Sequence, residues 1–277
     1  MISLANILIA AIIGAYVGRF LALTLNLLPG ILLDDDEERE PEDLPKIFFQ
    51  KPHCWNCQEP ISFFENLPII GYLLLRGKCK KCHQPLGKRL FILEVGLAIL
   101  FGISLALFGL HLPTVFVLIA TTLLIGCFIT DYEHKILPDQ FTLTLLWVGL
   151  IASLFPVFVP SHQAILGAVF GYGFFWSMNV VYRFFRGFDG MFPGDFKLNA
   201  AIGALVGFQW LVPITLISFL VLIITAFSIF FLRMKKIDST LLHEESPYGC
   251  YSSLITIAVL YLFLFNSEKL QFMINGS

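Results

Sequence analysis

Long apolar blocks without charged residues are the feature that most constrains this fold. One of them, 112–130, contains no Asp, Glu, Lys or Arg, and others of similar length follow along the chain. A helix needs about 20 apolar residues to cross a bilayer. Only 14% of the residues are charged and the mean hydropathy is +0.80, whereas about a quarter of the residues in a soluble domain are charged. The sequence therefore predicts an all-α polytopic membrane protein.

The apolar blocks predict about eight transmembrane helices. The first occupies 1–29 and is interpreted as a retained helix, because it lacks the basic start and small-residue cleavage site of a signal peptide. The block 196–232 would be roughly 55 Å long as a single helix, which is too long for one crossing. Gly207 and Pro213 within this block predict a break, so it is interpreted as a short span followed by a full one.

The positive charges indicate how the helices are oriented. Of the 18 Lys and Arg residues, all except Arg19 and Lys269 fall in polar segments that share one side of an eight-span arrangement. These segments are 30–89, 131–139, 183–197 and 233–249. Because basic segments are retained in the cytoplasm, the pattern predicts that these four are cytoplasmic and that both chain termini are periplasmic. Arg19, inside the first span, is expected to snorkel to the interface.

The long polar segment 30–89 contains two Cys-x-x-Cys pairs. Cys54 and Cys57 form the first pair, Cys79 and Cys82 form the second, and 21 residues separate the pairs. This spacing approximates a four-cysteine zinc ribbon. Cytoplasmic thiols stay reduced, so a structural Zn²⁺ bound by all four cysteines is favoured over a redox pair or a metal-free domain. A domain this small and polar has little apolar core, so it needs a cross-link such as a bound metal to be stable.

Three parts of the chain are therefore predicted. A first transmembrane helix, 1–29, precedes a small cytoplasmic zinc-ribbon-like domain, 30–89. A membrane core of seven helices, 90–277, follows.

Two aspartates lie where a polar segment meets an apolar block. Asp131 is the first charged residue after 112–130, and Asp195 directly precedes 196–232. The predicted topology places both at the cytoplasmic ends of their spans, and hence at the same depth. Two neighbouring carboxyl groups can share a proton and act as base and acid on a peptide bond. Helix capping and proton or cation transport are the alternatives that the spacing leaves open.

Three separate motifs resemble those of the type IV prepilin peptidase family. The first comprises the two cysteine pairs with Glu65-Asn66-Leu67-Pro68 between them. The other two are the segment from Asp131 through Leu137-Pro138-Asp139 and the segment Gly194-Asp195-Phe196-Lys197-Leu198. They occur in the family's order, although Phe192 stands where the second aspartate motif of the family has a glycine.

The resemblance implies a membrane-embedded aspartic endopeptidase in which Asp131 and Asp195 are catalytic. It implies prepilin or pseudopilin substrates of pilus or type II secretion systems, whose leader is cleaved at the cytoplasmic face of the bacterial inner membrane. It also implies N-methylation by S-adenosylmethionine, although the chain has no glycine-rich nucleotide-binding motif, and no nucleic-acid partner is expected. An ion- or proton-coupled transporter and a catalytically silent assembly scaffold are the alternatives.

Overall fold

The structure is a computed structural model that describes part of the chain. The described residues are 3–33, 57, 67–85, 87–155, 157–234 and 248–275. Within these ranges the chain is helices joined by turns, with one isolated bridge between Lys78 and Pro85 and no strand. It divides into two compact units, Met1–Gly109 and Leu110–Ser277. Most of 30–89 lies outside the described residues, so the three-part division of the chain stays a prediction.

The first unit is built on two long helices. Its helices are α1 (Leu4–Leu33), the short α2 (Ile70–Leu74) and α3 (Lys88–Phe108). The long helices α1 and α3 pack along each other. Gly14 and Gly18 of α1 lie directly against backbone carbonyls of α3, where a Cβ would have no room. Small residues of this kind allow transmembrane helices to approach closely.

The second unit is centred on the first half of one helix. Its helices are α4 (Leu112–His134), α5 (Asp139–Leu154), α6 (Ser161–Arg186), α7 (Pro193–Met234) and α8 (Tyr248–Asn275). Helix α7 packs against α5, α6 and α8, while α4 packs against α5 and α8. Gly149 of α5 contacts Ala204 of α7, and Gly167 of α6 contacts Gly203. These small residues bring three helices together around the buried part of α7.

The helices agree with the predicted spans. Six helical stretches are long and apolar enough to cross a membrane, and α5 is a shorter apolar helix. Helix α7 is interrupted at Gly207, which has φ 76° and ψ 168°, a conformation that glycine adopts without steric cost. The predicted break at this position is confirmed. When α5 and the two halves of α7 are counted separately, the described helices give the eight apolar segments that the sequence predicts.

A buried ion pair holds the first unit together. Arg19 Nη1 donates to Glu94 Oε1 at 2.9 Å, and Glu94 Oε2 accepts the backbone N–H of Ile69 at 2.7 Å. The Glu94 side chain is fully buried and that of Arg19 is 13% exposed. Ile69 has φ 62°, which is rare for a β-branched residue. Glu94 therefore neutralises Arg19 inside the unit and holds the turn before α2. The interpretation of Arg19 as a snorkelling residue did not include this partner.

Candidate active site

Asp131 lies in the last turn of α4 and faces the first turn of α8. Asp131 is only 5% exposed. Asp131 Oδ2 accepts the backbone N–H of Cys250 at 2.8 Å, and the amide of Gly249 also interacts with this carboxyl group. The Cys250 thiol donates to the backbone carbonyl of Phe128 at 3.2 Å. The first N–H groups of a helix have no partner within the helix. Asp131 therefore supplies the acceptor that the start of α8 needs.

Asp195 is the third residue of α7 and is also buried. Its carboxyl group interacts with the backbone N–H of Phe192, which precedes the helix, as a residue at this position in a capping box does. The helix-capping alternative therefore describes part of what Asp195 does. The side chain of Asn199 donates to the backbone carbonyl of Asp195 at 2.8 Å, and the Tyr248 hydroxyl donates to Asn199 Oδ1 at 3.0 Å. Tyr248 is thus linked to Asp195 through one side chain.

The structure brings the two aspartates together. Their carboxyl groups lie close enough to interact electrostatically. Leu137 lies between the segments that carry them, because a Cβ on Gly194 would lie 2.8 Å from Leu137 Cβ. A Cβ on Gly249 would lie 3.1 Å from both Asp131 Oδ2 and Leu137. Glycine at 194 and 249 therefore allows α7 and α8 to close onto the end of α4.

An ion pair joins the two aspartate motifs at their exposed side. Lys197 Nζ lies 2.6 Å and 2.8 Å from the two carboxyl oxygens of Asp139. Asp139 opens α5 and its side chain is 53% exposed, so the pair contributes only about 0–1 kcal/mol. The contact links the two motifs at the surface and adds little to the stability.

The loop before Asp195 is held by Asn179 of α6. Asn179 Oδ1 accepts the backbone N–H groups of Gly190 and Met191 at 2.8 and 3.1 Å, and its Nδ2 donates to Asp189 Oδ1 at 2.9 Å. Phe192 is not among the residues with positive φ. The backbone at position 192 therefore does not require the glycine that the family's motif has there.

Three residues of this site were missed by sequence reasoning. Asn199 stands four residues after Asp195, so helical spacing places it one turn further along α7. Tyr248 follows a proline late in the chain and is buried, as Cys250 is. The backbone N–H of Cys250 carries the contact, and side-chain patterns do not reveal it.

Gly171 of α6 offers a test of how closely the helices must pack behind this site. A Cβ on Gly171 would collide with the backbone carbonyl of Asn199, whereas a Cβ on Gly173 would meet nothing within 4 Å. We expect Gly171→Ala to destabilise the protein by about 1–3 kcal/mol through overpacking. Gly173→Ala, on the same helix, should be neutral or stabilising by up to about 1 kcal/mol. Thermal unfolding in detergent measures both; equal melting temperatures for the two variants would contradict the packing seen here.

Three of the four cysteines that were predicted as metal ligands come together in the first unit. The sulfur atoms of Cys57, Cys79 and Cys82 all lie within 4.8 Å of one another. Cys57 Sγ and Cys79 Sγ are 3.8 Å apart and are not joined by a disulfide bond. Two sulfurs bound tetrahedrally to zinc at about 2.3 Å would be about 3.8 Å apart. The cluster therefore fits such a metal, while Cys54 lies outside the described residues.

These observations define the class of the protein: it is a polytopic helical membrane protein in which two helix ends bring two buried carboxyl groups together. The chain matches the type IV leader peptidase family over residues 118–229 and the bacterial peptidase A24 N-terminal domain over residues 12–108. The first match lies in the second unit and the second match in the first unit. The chain belongs to the type IV leader peptidase family.

Curated relatives support this membership over most of the chain. A protein from Stutzerimonas stutzeri is 33% identical over 280 residues, covering 97% of this chain and 95% of the relative. One from Pseudomonas aeruginosa is 34% identical with the same coverage, and one from Neisseria gonorrhoeae is 36% identical over 79% of this chain and 80% of its own length. Each is named prepilin leader peptidase/N-methyltransferase. No solved structure matches the chain significantly.

Proposed function

We propose that Asp131 and Asp195 are the catalytic pair of a membrane-embedded aspartic endopeptidase that removes the leader of type IV prepilins or pseudopilins. The chain is a peptidase by its membership of the type IV leader peptidase family. The named activity of its relatives supports prepilins as substrates and a second, methyltransferase activity. The observation that carries the assignment is the electrostatic contact between two buried acids from separate helices.

Two buried carboxyl groups that feel each other's charge favour a state in which one is protonated and the other is ionised. The ionised carboxylate takes a proton from a water molecule, whose oxygen then forms a bond to the carbonyl carbon of the scissile peptide. The protonated carboxyl group gives its proton to the carbonyl oxygen. When the intermediate collapses, the C–N bond breaks, the first carboxyl group gives its newly acquired proton to the leaving amine, and the second takes a proton back from a hydroxyl of the intermediate. Each aspartate thereby regains its starting state.

The position of the two aspartates along their helices agrees with a substrate cut at a membrane surface. Asp131 ends one predicted span and Asp195 begins another. We place this face in the cytoplasm and the protein in the bacterial inner membrane, with both termini periplasmic, because the basic residues cluster on that side of the predicted topology. The apolar helix of a prepilin would then stay in the bilayer while its leader is cleaved.

Methylation would follow on the same substrate. The amine freed by cleavage is the acceptor for the methyl group that S-adenosylmethionine supplies when it is bound. The order is fixed by chemistry, since this amine is part of the peptide bond until the leader is removed.

Ion or proton transport is the first alternative. A transport path requires polar groups that are free to bind the transported ion within the spans. The hydroxyls of Thr130, Thr142 and Ser218 donate to backbone carbonyls four residues earlier. The buried hydroxyls of Thr121 and Ser253 have no hydrogen-bond partner among the described residues, so these groups alone do not decide between the two functions. An inactive scaffold would not require two aspartates to meet. The family membership favours the peptidase over both.

The test is leader removal by the purified full-length protein. The protein, in detergent or in lipid vesicles, is incubated with a prepilin, and the product is identified by the mass of its new N-terminus. We expect cleavage after a leader glycine, and a further mass gain of one methyl group when S-adenosylmethionine is added. An intact substrate after prolonged incubation would overturn the peptidase assignment, whereas cleavage without methylation would overturn only the second activity.

The cysteine cluster supports a structural metal. We propose that Cys54, Cys57, Cys79 and Cys82 bind one Zn²⁺, whose chemistry here would be to cross-link the polar segment of the first unit. The sulfur atoms of Cys57, Cys79 and Cys82 lie within 4.8 Å of one another, which is close enough to share one metal ion. Because four thiolates complete a tetrahedral shell, the ion would take no part in hydrolysis.

Zinc content tests this proposal. We expect about one zinc per chain in reduced, freshly purified protein, and loss of that zinc together with a lower melting temperature in Cys79→Ser. Cys127→Ala is the control, because Cys127 is a buried cysteine in the second unit, and it should keep its zinc. A wild-type content near zero would contradict the proposal.

A further inference from the structure

Three consecutive residues at the start of α8 contact both aspartate-bearing segments. The Cys250 amide donates to Asp131 Oδ2, while the Tyr248 hydroxyl reaches the backbone of Asp195 through Asn199. Gly249, between them, lies against Asp131, where an added Cβ would be in tight contact at 3.1 Å from Asp131 Oδ2. The first turn of α8 therefore bridges the two halves of the candidate active site.

The start of α8 is itself fixed by aromatic packing. The Tyr248 ring lies 4.8 Å from the Phe219 ring and 6.1 Å from the Phe175 ring, measured between centroids. Tyr248 is 5% exposed and Asn199 is 1% exposed. Buried hydrogen bonds and ring contacts of this kind leave little freedom to the backbone that follows, so the Cys250 N–H is held in its direction toward Asp131.

The two carboxyl groups receive different donors. Asp131 interacts with the amides of Cys250 and Gly249, whereas the Cys250 thiol donates to the backbone carbonyl of Phe128 at 3.2 Å. Among the described residues, the Asp195 carboxyl group has one backbone donor, Phe192. A backbone N–H can only donate a hydrogen bond. An ionised carboxylate accepts hydrogen bonds on both oxygens, whereas a protonated carboxyl group accepts fewer because one oxygen carries the proton. The N–H groups at the start of α8 therefore have better acceptors when Asp131 is the ionised member of the pair.

We infer that the first turn of α8 divides the work of the pair, so that Asp131 takes the proton from water and Asp195 carries the proton that is donated. Cys250, through its backbone N–H, and Tyr248, through Asn199, are positioning residues that act on the two aspartates and do not touch the substrate. The inference rests on the proposed peptidase function and deepens it.

Cys250→Pro removes the N–H, and Cys250→Ala keeps it. Proline is tolerated in the first turn of a helix because its missing N–H has no helical partner there. Cys250→Pro loses a hydrogen bond to a charged carboxylate. We therefore expect it to lower kcat for leader removal by roughly 10- to 100-fold. KM should stay unchanged, because the bond is not made to the substrate. Cys250→Ala should stay within about twofold of wild type, and Tyr248→Phe should lose about 3- to 10-fold in kcat.

Carbodiimide labelling tests the division of work independently of turnover. A hydrophobic carbodiimide reacts with protonated carboxyl groups, and peptide mass mapping identifies the labelled residue. In the wild-type protein and in Cys250→Ala we expect the label on Asp195 and not on Asp131. In Cys250→Pro we expect label on Asp131 as well, because its ionised form has lost a donor.

The outcomes separate this inference from the proposed function. Label on Asp131 in the wild-type protein, or equal kcat for Cys250→Pro and Cys250→Ala in folded protein, overturns the division of work while leaving the peptidase intact. If neither aspartate is labelled, the kinetic comparison of these two variants decides alone. A wild-type protein that does not cleave prepilin overturns the proposed function itself. Melting temperatures of each variant identify any that lose activity by unfolding.

Discussion

Replacing Asp131 or Asp195 by asparagine is expected to lower leader cleavage by about 10²- to 10⁴-fold, because each substitution removes one half of the acid–base pair. Asparagine has nearly the shape of aspartate and keeps an oxygen acceptor for the Cys250 or Phe192 amide. The helices should therefore hold their positions while proton transfer is lost. Initial rates of leader removal, with substrate binding followed separately, measure the effect.

Asp139→Asn is the matched control for these two variants. Asp139 is also close to the end of α4, but it is half exposed and paired with Lys197, so its loss should cost less than about fivefold. The double variant Asp131→Asn/Asp195→Asn should be hardly worse than either single one, since residues that act as a unit are not additive. Wild-type rates in either single asparagine variant would falsify the catalytic assignment.

Breaking the ion pair inside the first unit should have the largest effect on stability. Glu94→Gln keeps an oxygen for the Ile69 amide but removes the negative charge that faces the Arg19 guanidinium at 2.9 Å. Loss of one partner of a buried pair costs about 3–5 kcal/mol. We expect a markedly lower melting temperature in detergent, measured by thermal unfolding of the full-length protein.

Two further variants show whether the charge is responsible. Glu133→Gln removes a glutamate whose side chain is 35% exposed and should change the melting temperature little. Arg19→Met/Glu94→Gln removes both charges, keeps an oxygen for the Ile69 amide, and should recover much of the stability, because neutral residues of similar size can replace a buried pair. If Glu94→Gln and Glu133→Gln melt at the same temperature, the ion pair is not a stabilising contact.

Much of the fold follows from patterns that are local in the sequence. Uncharged apolar blocks mark the spans because each helix must satisfy its own backbone in lipid. Gly207 marks a break because the block around it is longer than one crossing. Asp131 and Asp195 are recognisable because each stands at the end of such a block, and the basic residues predict the side of the membrane on which they lie.

Contacts between distant residues could not be predicted in this way. Arg19 and Glu94 are 75 residues apart, and Cys250 and Asp131 are 119 residues apart. Each contact depends on how two helices are rotated about their axes, and these nearly uniformly apolar helices give little sequence signal of rotation. The donor from Cys250 is a backbone group, so no residue type at position 250 points to it.

Leu137 affects the spacing of the segments around the active site without taking part in its chemistry. Gly194 of α7 and Gly249 of α8 both lie against Leu137. A residue of different size at position 137 would therefore change how closely the starts of α7 and α8 approach it. The approach of the two aspartate-bearing segments thus depends in part on a residue that can neither give nor accept a proton.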